Sequence, residues 1–343
     1  MTKKIDNPET MWVNAARFFA ALAVVTVHCA YQNSITTDKG FSVWLSGGLL
    51  DSFSRWCVPV FVIISGALLL KPKSKISIMS FYSKRLTKFL IPFTFWIIFY
   101  LLIRFRSDYQ AGLPLQPTKY IQAILEGKVF SHLWYIFMLF GLYLFTPFCQ
   151  KLLDVLDKKE TFILICILWF LTILNDWIIN NSKSNIFILW FMNYLGYYIM
   201  GYYLRYFAKI PKLPLLWLSC FFISSMLVLY IRYNTFYLTR NDPLTGSGYT
   251  SPYVILQSLS ITCFFMSISY KNQTLCIIFK SMAPLALGIY LAHPFFIYIF
   301  NMIARNYSFN AWINVILMTT TVFISTLIFV MMCKKLPLLN KIV

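Results

Sequence analysis

Charge is what this chain has least of. Only 12% of its 343 residues are charged, where an ordinary soluble domain carries roughly 25%, so a fold solvated mainly by water is excluded. Acidic side chains are the scarcest, with 11 Asp and Glu against 30 Lys and Arg. Histidine occurs three times, and the eight Cys (29, 57, 149, 166, 220, 263, 276 and 333) show no CxxC spacing. No metal site and no disulfide framework is therefore expected, and the thiols read as small hydrophobes. Strict period-2 alternation is also missing, which argues against a membrane β-barrel.

What fills the sequence is apolar: 59% hydrophobic residues, 19% of all residues being aromatic. That composition excludes disorder, collagen and coiled coil. Apolar runs bounded by charge, Pro or Asn lie near 11–32, 53–70, 87–103, 133–149, 161–179, 186–207, 213–231, 252–269, 284–302 and 311–333. Each is about the ~20 residues that a helix needs to cross a bilayer core. The predicted fold is all-α and polytopic, with about ten transmembrane helices and one domain over 1–343. Lys3 and Lys4 precede the first run, yet Thr-Val-His-Cys at 26–29 is no small-residue cleavage site, so the run reads as a retained span.

Basic residues then orient the chain. With the N-terminus cytoplasmic, the larger share falls inside, including Lys71, Lys73, Lys75, Lys84, Arg85, Lys88, Lys151, Lys158, Lys159, Lys334 and Lys335. Fewer fall outside, among them Lys39, Arg104, Lys119, Lys128, Lys183, Arg232, Arg240 and Arg305. Both termini are then predicted to be cytoplasmic. This topology, with attraction to anionic lipid, accounts for the net charge of +19, and no nucleic-acid partner is called for. The outer connections 104–132 and 232–251 contain Gly112, Pro114 and Pro117, and Asp242, Pro243 and Gly246, and both read as loops.

Arg17 and His28 stand inside the first run, where an ionisable residue is costly and points to function. Eleven residues at ~100° each come to ~20° beyond three turns, so both project from one face, ~16 Å apart along the axis. Arg17 either snorkels to the inner interface or holds a functional charge. His28 either forms a buried hydrogen bond or acts as general base, nucleophile or proton relay. Matching depths with the antiparallel second run pairs His28 with Arg55, itself beside Asp51, and Arg17 with the small pair Ser65-Gly66. A ligand or a neighbouring backbone could approach there. KPKSKISIMSFYSKRLTK is basic without an acid, so it either anchors to the membrane surface or forms an anion site at Lys84, Arg85 and Lys88. His132 opens the fourth run as a cap, an interface residue or a substrate contact. His293 precedes Pro294 in mid-run, which frees the carbonyl near Tyr290 and marks a kink or a lined cavity.

These motifs resemble acyltransferase family 3, the integral membrane acyltransferases. ARFFAALAVVTVH, RWCVPVFVIISGALLL, FYSKRLTKFLIP, SHLWYI and GIYLAHP resemble the family's elements in order from residue 11 to about 294. Lys88 stands where members often show Arg, and Lys meets a phosphate as a point charge rather than a fork. The short form resembles stand-alone O-acetyltransferases of enterobacterial common antigen and other surface polysaccharides. The resemblance implies transfer of an acyl group, most often acetyl from acetyl-CoA, to a hydroxyl of a lipid-linked or exported glycan. It implies a multi-pass protein of the bacterial inner membrane, with acyl-CoA as a donor substrate and no tightly bound cofactor. His28 would be the base or a transient acyl carrier, and Arg17 would stabilise negative charge. Lys84, Arg85, Lys88 and Ser65 would hold the donor, and Arg55, His132, Tyr290 and His293 would meet the acceptor.

The competing class is a transporter or flippase for a lipid-linked glycan or small solute. Against it stand the lack of an internal repeat and of firmly intramembrane acids, since Asp51 and Asp176 fall at span ends.

Overall fold

Thirty-odd ångströms of hydrocarbon leave the backbone no partner but itself, and the chain answers with helices. The computed structural model describes residues 10–72, 77–181, 187–239, 247–304 and 310–343, with side chains except at 86–88, 176–181, 187–189 and 304. Lys88 and Asp176 therefore lie outside the described side chains. Lys3, Lys4, Lys73, Lys75, Lys183, Arg240, Asp242, Pro243, Gly246 and Arg305 lie outside the described residues.

The helices are α1 (Met11–Ser34), α2 (Phe41–Ser54), α3 (Cys57–Leu69), α4 (Ile78–Gln110), α5 (Pro117–Leu125), α6 (Trp134–Val155) and α7 (Lys158–Asn181). After a 3-10 stretch at Phe187–Tyr194 come α8 (Leu195–Tyr206), α9 (Pro214–Arg232), α10 (Pro252–Ser267), α11 (Gln273–Met282), α12 (Ala286–Ala304) and α13 (Ala311–Lys335). No strand occurs among the described residues. Each expected span falls on one of these helices or on a consecutive pair. Seven stretches are long and apolar enough to cross a membrane, and α10 is a shorter apolar helix, so ten spans is an approximate count.

Helix starts follow local chemistry. Ser77, Ser251 and Asn272 each accept from a backbone N–H three residues on, and Pro117, Pro214 and Pro252 sit in first turns, where a missing N–H is harmless. That explains one departure from expectation: 104–132 is not a plain loop. α4 runs on to Gln110, Gly112 and Gly127 turn the chain at positive φ, and Pro117 starts α5. Asp108 then pins α5 to α4, accepting from Lys119 Nζ at 2.8 Å and Tyr120 Oη at 3.0 Å.

The second run also begins earlier than expected, at Phe41, as the nearly continuous pair α2–α3. Asp51 consequently lies well inside a span rather than at its end.

α1 packs against α2, α3, α10, α11, α12 and α13, presenting Ala15, Ala16, Ala20, Ala21 and Ala23 as a buried small-residue surface. Small side chains allow close approach where lipid offers no hydrophobic drive. α13 runs antiparallel to α1: Phe18 meets Phe323, and Trp312 Nε1 donates to Ser42 Oγ just past the far end of α1. The start of α1 and the end of α13 therefore share one face of the bundle. Between α3 and α8 the approach is closest, because a methyl on Gly66 would overlap the Tyr198 carbonyl oxygen and one on Gly201 the Ile63 carbonyl oxygen. Gly66→Ala is expected to destabilise the protein by ~1–3 kcal/mol through this backbone overlap, read as a lower thermal midpoint in detergent.

Candidate active site

All three histidines meet. α1 carries His28, α12 carries His293, and the short segment before α6 carries His132. The ring of His28 lies 4.9 Å from that of His293 and 6.4 Å from that of His132, and the last two are 5.6 Å apart. Sequence separation hides this cluster, whose members are brought together only by packing. No group of three or more His, Cys, Asp or Glu among the described residues is placed to hold a metal ion.

Tyrosines fix the cluster to backbone carbonyls. Tyr290 Oη donates to the His132 carbonyl, and Tyr100 Oη donates to the Leu291 carbonyl at 2.7 Å while its ring packs 4.9 Å from that of His132. Burial first, then the neighbouring imidazoles of His293 and His28, holds His132 well below the ordinary imidazole range, so it stays neutral. His293 turns Nδ1 back onto its own helix, 2.8 Å from the Tyr290 carbonyl oxygen and 3.1 Å from that of Ile289.

Beside His28 is a small chamber of about 40 Å³ lined by Val24, Val27, Cys57, Val58, Trp134, Tyr249 and Tyr290. Just behind its wall the Arg55 guanidinium lies 5.6 Å from the centre of the Tyr249 ring, one of the residues that line the chamber with His28. Arg55 Nη2 donates to Asp51 Oδ2 at 2.8 Å, the pair expected from the sequence. The same carboxylate oxygen also pairs with Arg232 of α9. The sequence places Arg232 in an outer connection, yet it ends α9 and is 0% exposed. It had looked like a loop charge because the apolar run stops there.

Toward the face that holds the start of α1, a larger cavity of about 240 Å³ is lined by Arg17, Ser65, Phe89, Tyr135, Tyr143 and Tyr290, among others. Ser65 and Arg17 thus share a depth as expected, and Gly66 beside them receives the α8 backbone. Tyr290 lines both this cavity and the His28 chamber, which makes the two adjacent.

Further toward the same face is a cleft of about 90 Å³ lined by Lys71, Phe81, Lys84, Arg85 and Gln150, with Leu68 and Leu69. Tyr82 Oη donates to the Leu144 carbonyl at 2.6 Å and fixes the basic stretch against α6. Tyr143 stands between the cleft and the cavity, within the fields of both Arg85 and Arg17. Lys71 and Tyr143 were not singled out from the sequence, Lys71 because it sat in a run of similar charges and Tyr143 because it looked like any membrane aromatic.

The ten candidate residues therefore fall into three groups along one line. Lys84 and Arg85 are at the cleft, Arg17 and Ser65 are in the cavity, and His28 and Tyr290 line the chamber, with His132 and His293 packed against His28 and Arg55 behind the chamber wall; Lys88 is outside the described side chains.

A family model described as an acyltransferase domain matches residues 11–334. Neither the curated proteins nor the solved structures give a match to the chain.

Proposed function

The chain belongs to acyltransferase family 3 and is a multi-pass membrane acyltransferase, and from that premise we propose that it moves an acetyl group from acetyl-CoA to a hydroxyl of a lipid-linked or exported surface glycan in the bacterial inner membrane. The observation that carries this reading is the line of charged cleft, cavity and histidine chamber, with Tyr290 as the shared wall of the last two.

Lys71, Lys84 and Arg85 hold the phosphates of the donor at the cytoplasmic rim by charge-assisted hydrogen bonds. The pantetheine arm passes Tyr143 and Arg17 and brings the thioester to His28. The ~16 Å between Arg17 and His28 is spanned by the donor rather than bridged by one small group.

His28 removes the proton of the acceptor hydroxyl as its oxygen attacks the thioester carbonyl carbon. Negative charge appears on the carbonyl oxygen, and the Arg55 charge close behind the Tyr249 wall stabilises it through the low-dielectric interior. Collapse re-forms the carbonyl, breaks the carbon–sulfur bond and releases CoA thiolate, which takes the proton from the His28 imidazolium. This assignment shifts the oxyanion role expected for Arg17 to Arg55, since Arg17 lines the other cavity.

The buried acid favours the enzyme over the transporter. Asp51 is inside the membrane after all, but two arginines engage it, so it is not free to load and release protons.

Arg85→Ala is expected to raise KM for acetyl-CoA about tenfold, equivalent to ~1.4 kcal/mol, with kcat little changed. Added salt weakens wild-type donor binding in the same direction, because the rim is exposed. The reading as a whole is tested by mass spectrometry of surface glycans from cells with the gene deleted and restored. Loss and return of one acetyl increment supports it, whereas fully acetylated glycans stranded on the wrong side of the membrane overturn it in favour of transport.

A further inference from the structure

His293 packs beside His28, 4.9 Å between ring centres, without lining the chamber, so a substrate contact is not what its geometry favours. Pro294 has no N–H, and Tyr290, four residues before it, would otherwise have given its carbonyl to that donor. Instead His293 Nδ1 lies 2.8 Å from that oxygen and 3.1 Å from the Ile289 carbonyl oxygen. Carbonyl oxygens only accept, so Nδ1 carries the proton, and in the neutral ring Nε2 is left as a bare acceptor. Nε2 is fully buried and has no partner.

The nearby hydroxyls are already committed, that of Tyr290 to the His132 carbonyl and that of Tyr100 to the Leu291 carbonyl. Among the imidazoles, His28 is nearer to His293 than His132 is, 4.9 against 5.6 Å between ring centres. We infer that His293 is the positioning residue of the reaction: its Nε2 accepts the N–H of His28, fixing which His28 nitrogen is bare toward the acceptor and steadying the imidazolium that forms. It rests on the reading of His28 as base.

Proton bookkeeping follows directly. The bare nitrogen of His28 takes the hydroxyl proton, while the N–H on its other side stays donated to His293 Nε2. His293 gains no proton, because Nδ1 already holds one. The proton on His28 then leaves with the CoA thiolate. This is the base-and-orienter arrangement of hydrolase triads, with an imidazole lone pair in place of a carboxylate. The proline makes it work, since it supplies the free carbonyl that locks the tautomer.

Two amide variants separate the ring nitrogens. His293→Asn puts an N–H near the position of Nδ1 and satisfies the Tyr290 carbonyl, but has nothing at Nε2; His293→Gln can place an acceptor oxygen near Nε2. With the purified protein in nanodiscs, acetyl-CoA and the host's membrane glycolipid fraction, His293→Asn is expected to lower kcat at least 100-fold with the acetyl-CoA KM unchanged. His293→Gln is expected to stay within tenfold of wild type, with a shifted pH profile. Equal kcat for His293→Asn and wild type, or equal losses in both variants with KM rising, overturns the inference. A wild-type 15N spectrum showing His293 protonated at Nε2 overturns it too, whether or not the variants fold. His28→Ala run alongside separates the two levels: if it keeps full activity, the base assignment fails, whereas an inactive His28→Ala beside an unimpaired His293→Asn sinks this inference alone.

Discussion

His28→Ala is expected to lower kcat/KM for acetyl transfer by ~10²–10⁴-fold, the range that a positioned general base contributes. The loss should be in kcat. Donor affinity rests on Lys71, Lys84 and Arg85 at the rim, beyond the Arg17 cavity, so KM for acetyl-CoA is expected to hold. Stability should hold as well. The His28 side chain borders a chamber and is only partly buried, so its truncation adds space to an existing void rather than opening one in packed core. A loss in kcat with KM and thermal midpoint unchanged distinguishes a base from a wall of the site. Steady-state transfer kinetics and a melting curve on the same preparation make the comparison.

The largest effect on stability is expected from Asp51→Ala. Asp51 is 0% exposed, and its carboxylate oxygen engages Arg55 of the α2–α3 junction and Arg232 of α9, both buried. Removing it leaves two cations uncompensated in a low-dielectric interior, a loss of ~3–5 kcal/mol. Arg232→Met keeps the Arg55–Asp51 pair and is expected to cost less. Thermal unfolding in detergent should rank wild type above Arg232→Met and Arg232→Met above Asp51→Ala. The reverse order for the two variants would mean that the carboxylate is not what holds α2 to α9.

Local and periodic features were legible in the sequence. Helical phase puts Arg17 and His28 on one face, and matched depths put Arg17 beside Ser65-Gly66 and the Arg55 and Asp51 pair near His28. Each of those follows from one helix or one antiparallel pair. What escaped depends on contacts between distant parts of the chain. Nothing local says that His132 and His293 reach His28, and Arg232 at the end of an apolar run resembles any loop charge. The α5 helix is hidden for a different reason: Pro117 reads as a breaker in sequence, although at a first turn it starts a helix. Pro294 shows the opposite case. Its freed carbonyl was foreseen, but only the fold shows that the adjacent His293 takes it up.

The most direct test of the central claim is transfer of an isotopically labelled acetyl group from acetyl-CoA to the host's membrane glycolipids by purified protein in nanodiscs, wild type against His28→Ala. The mechanism expects label on glycan hydroxyls with wild type and a labelling rate at least ~10²-fold lower with the variant. Equal labelling by both proteins, or no labelling by a folded wild type that binds acetyl-CoA, would contradict it.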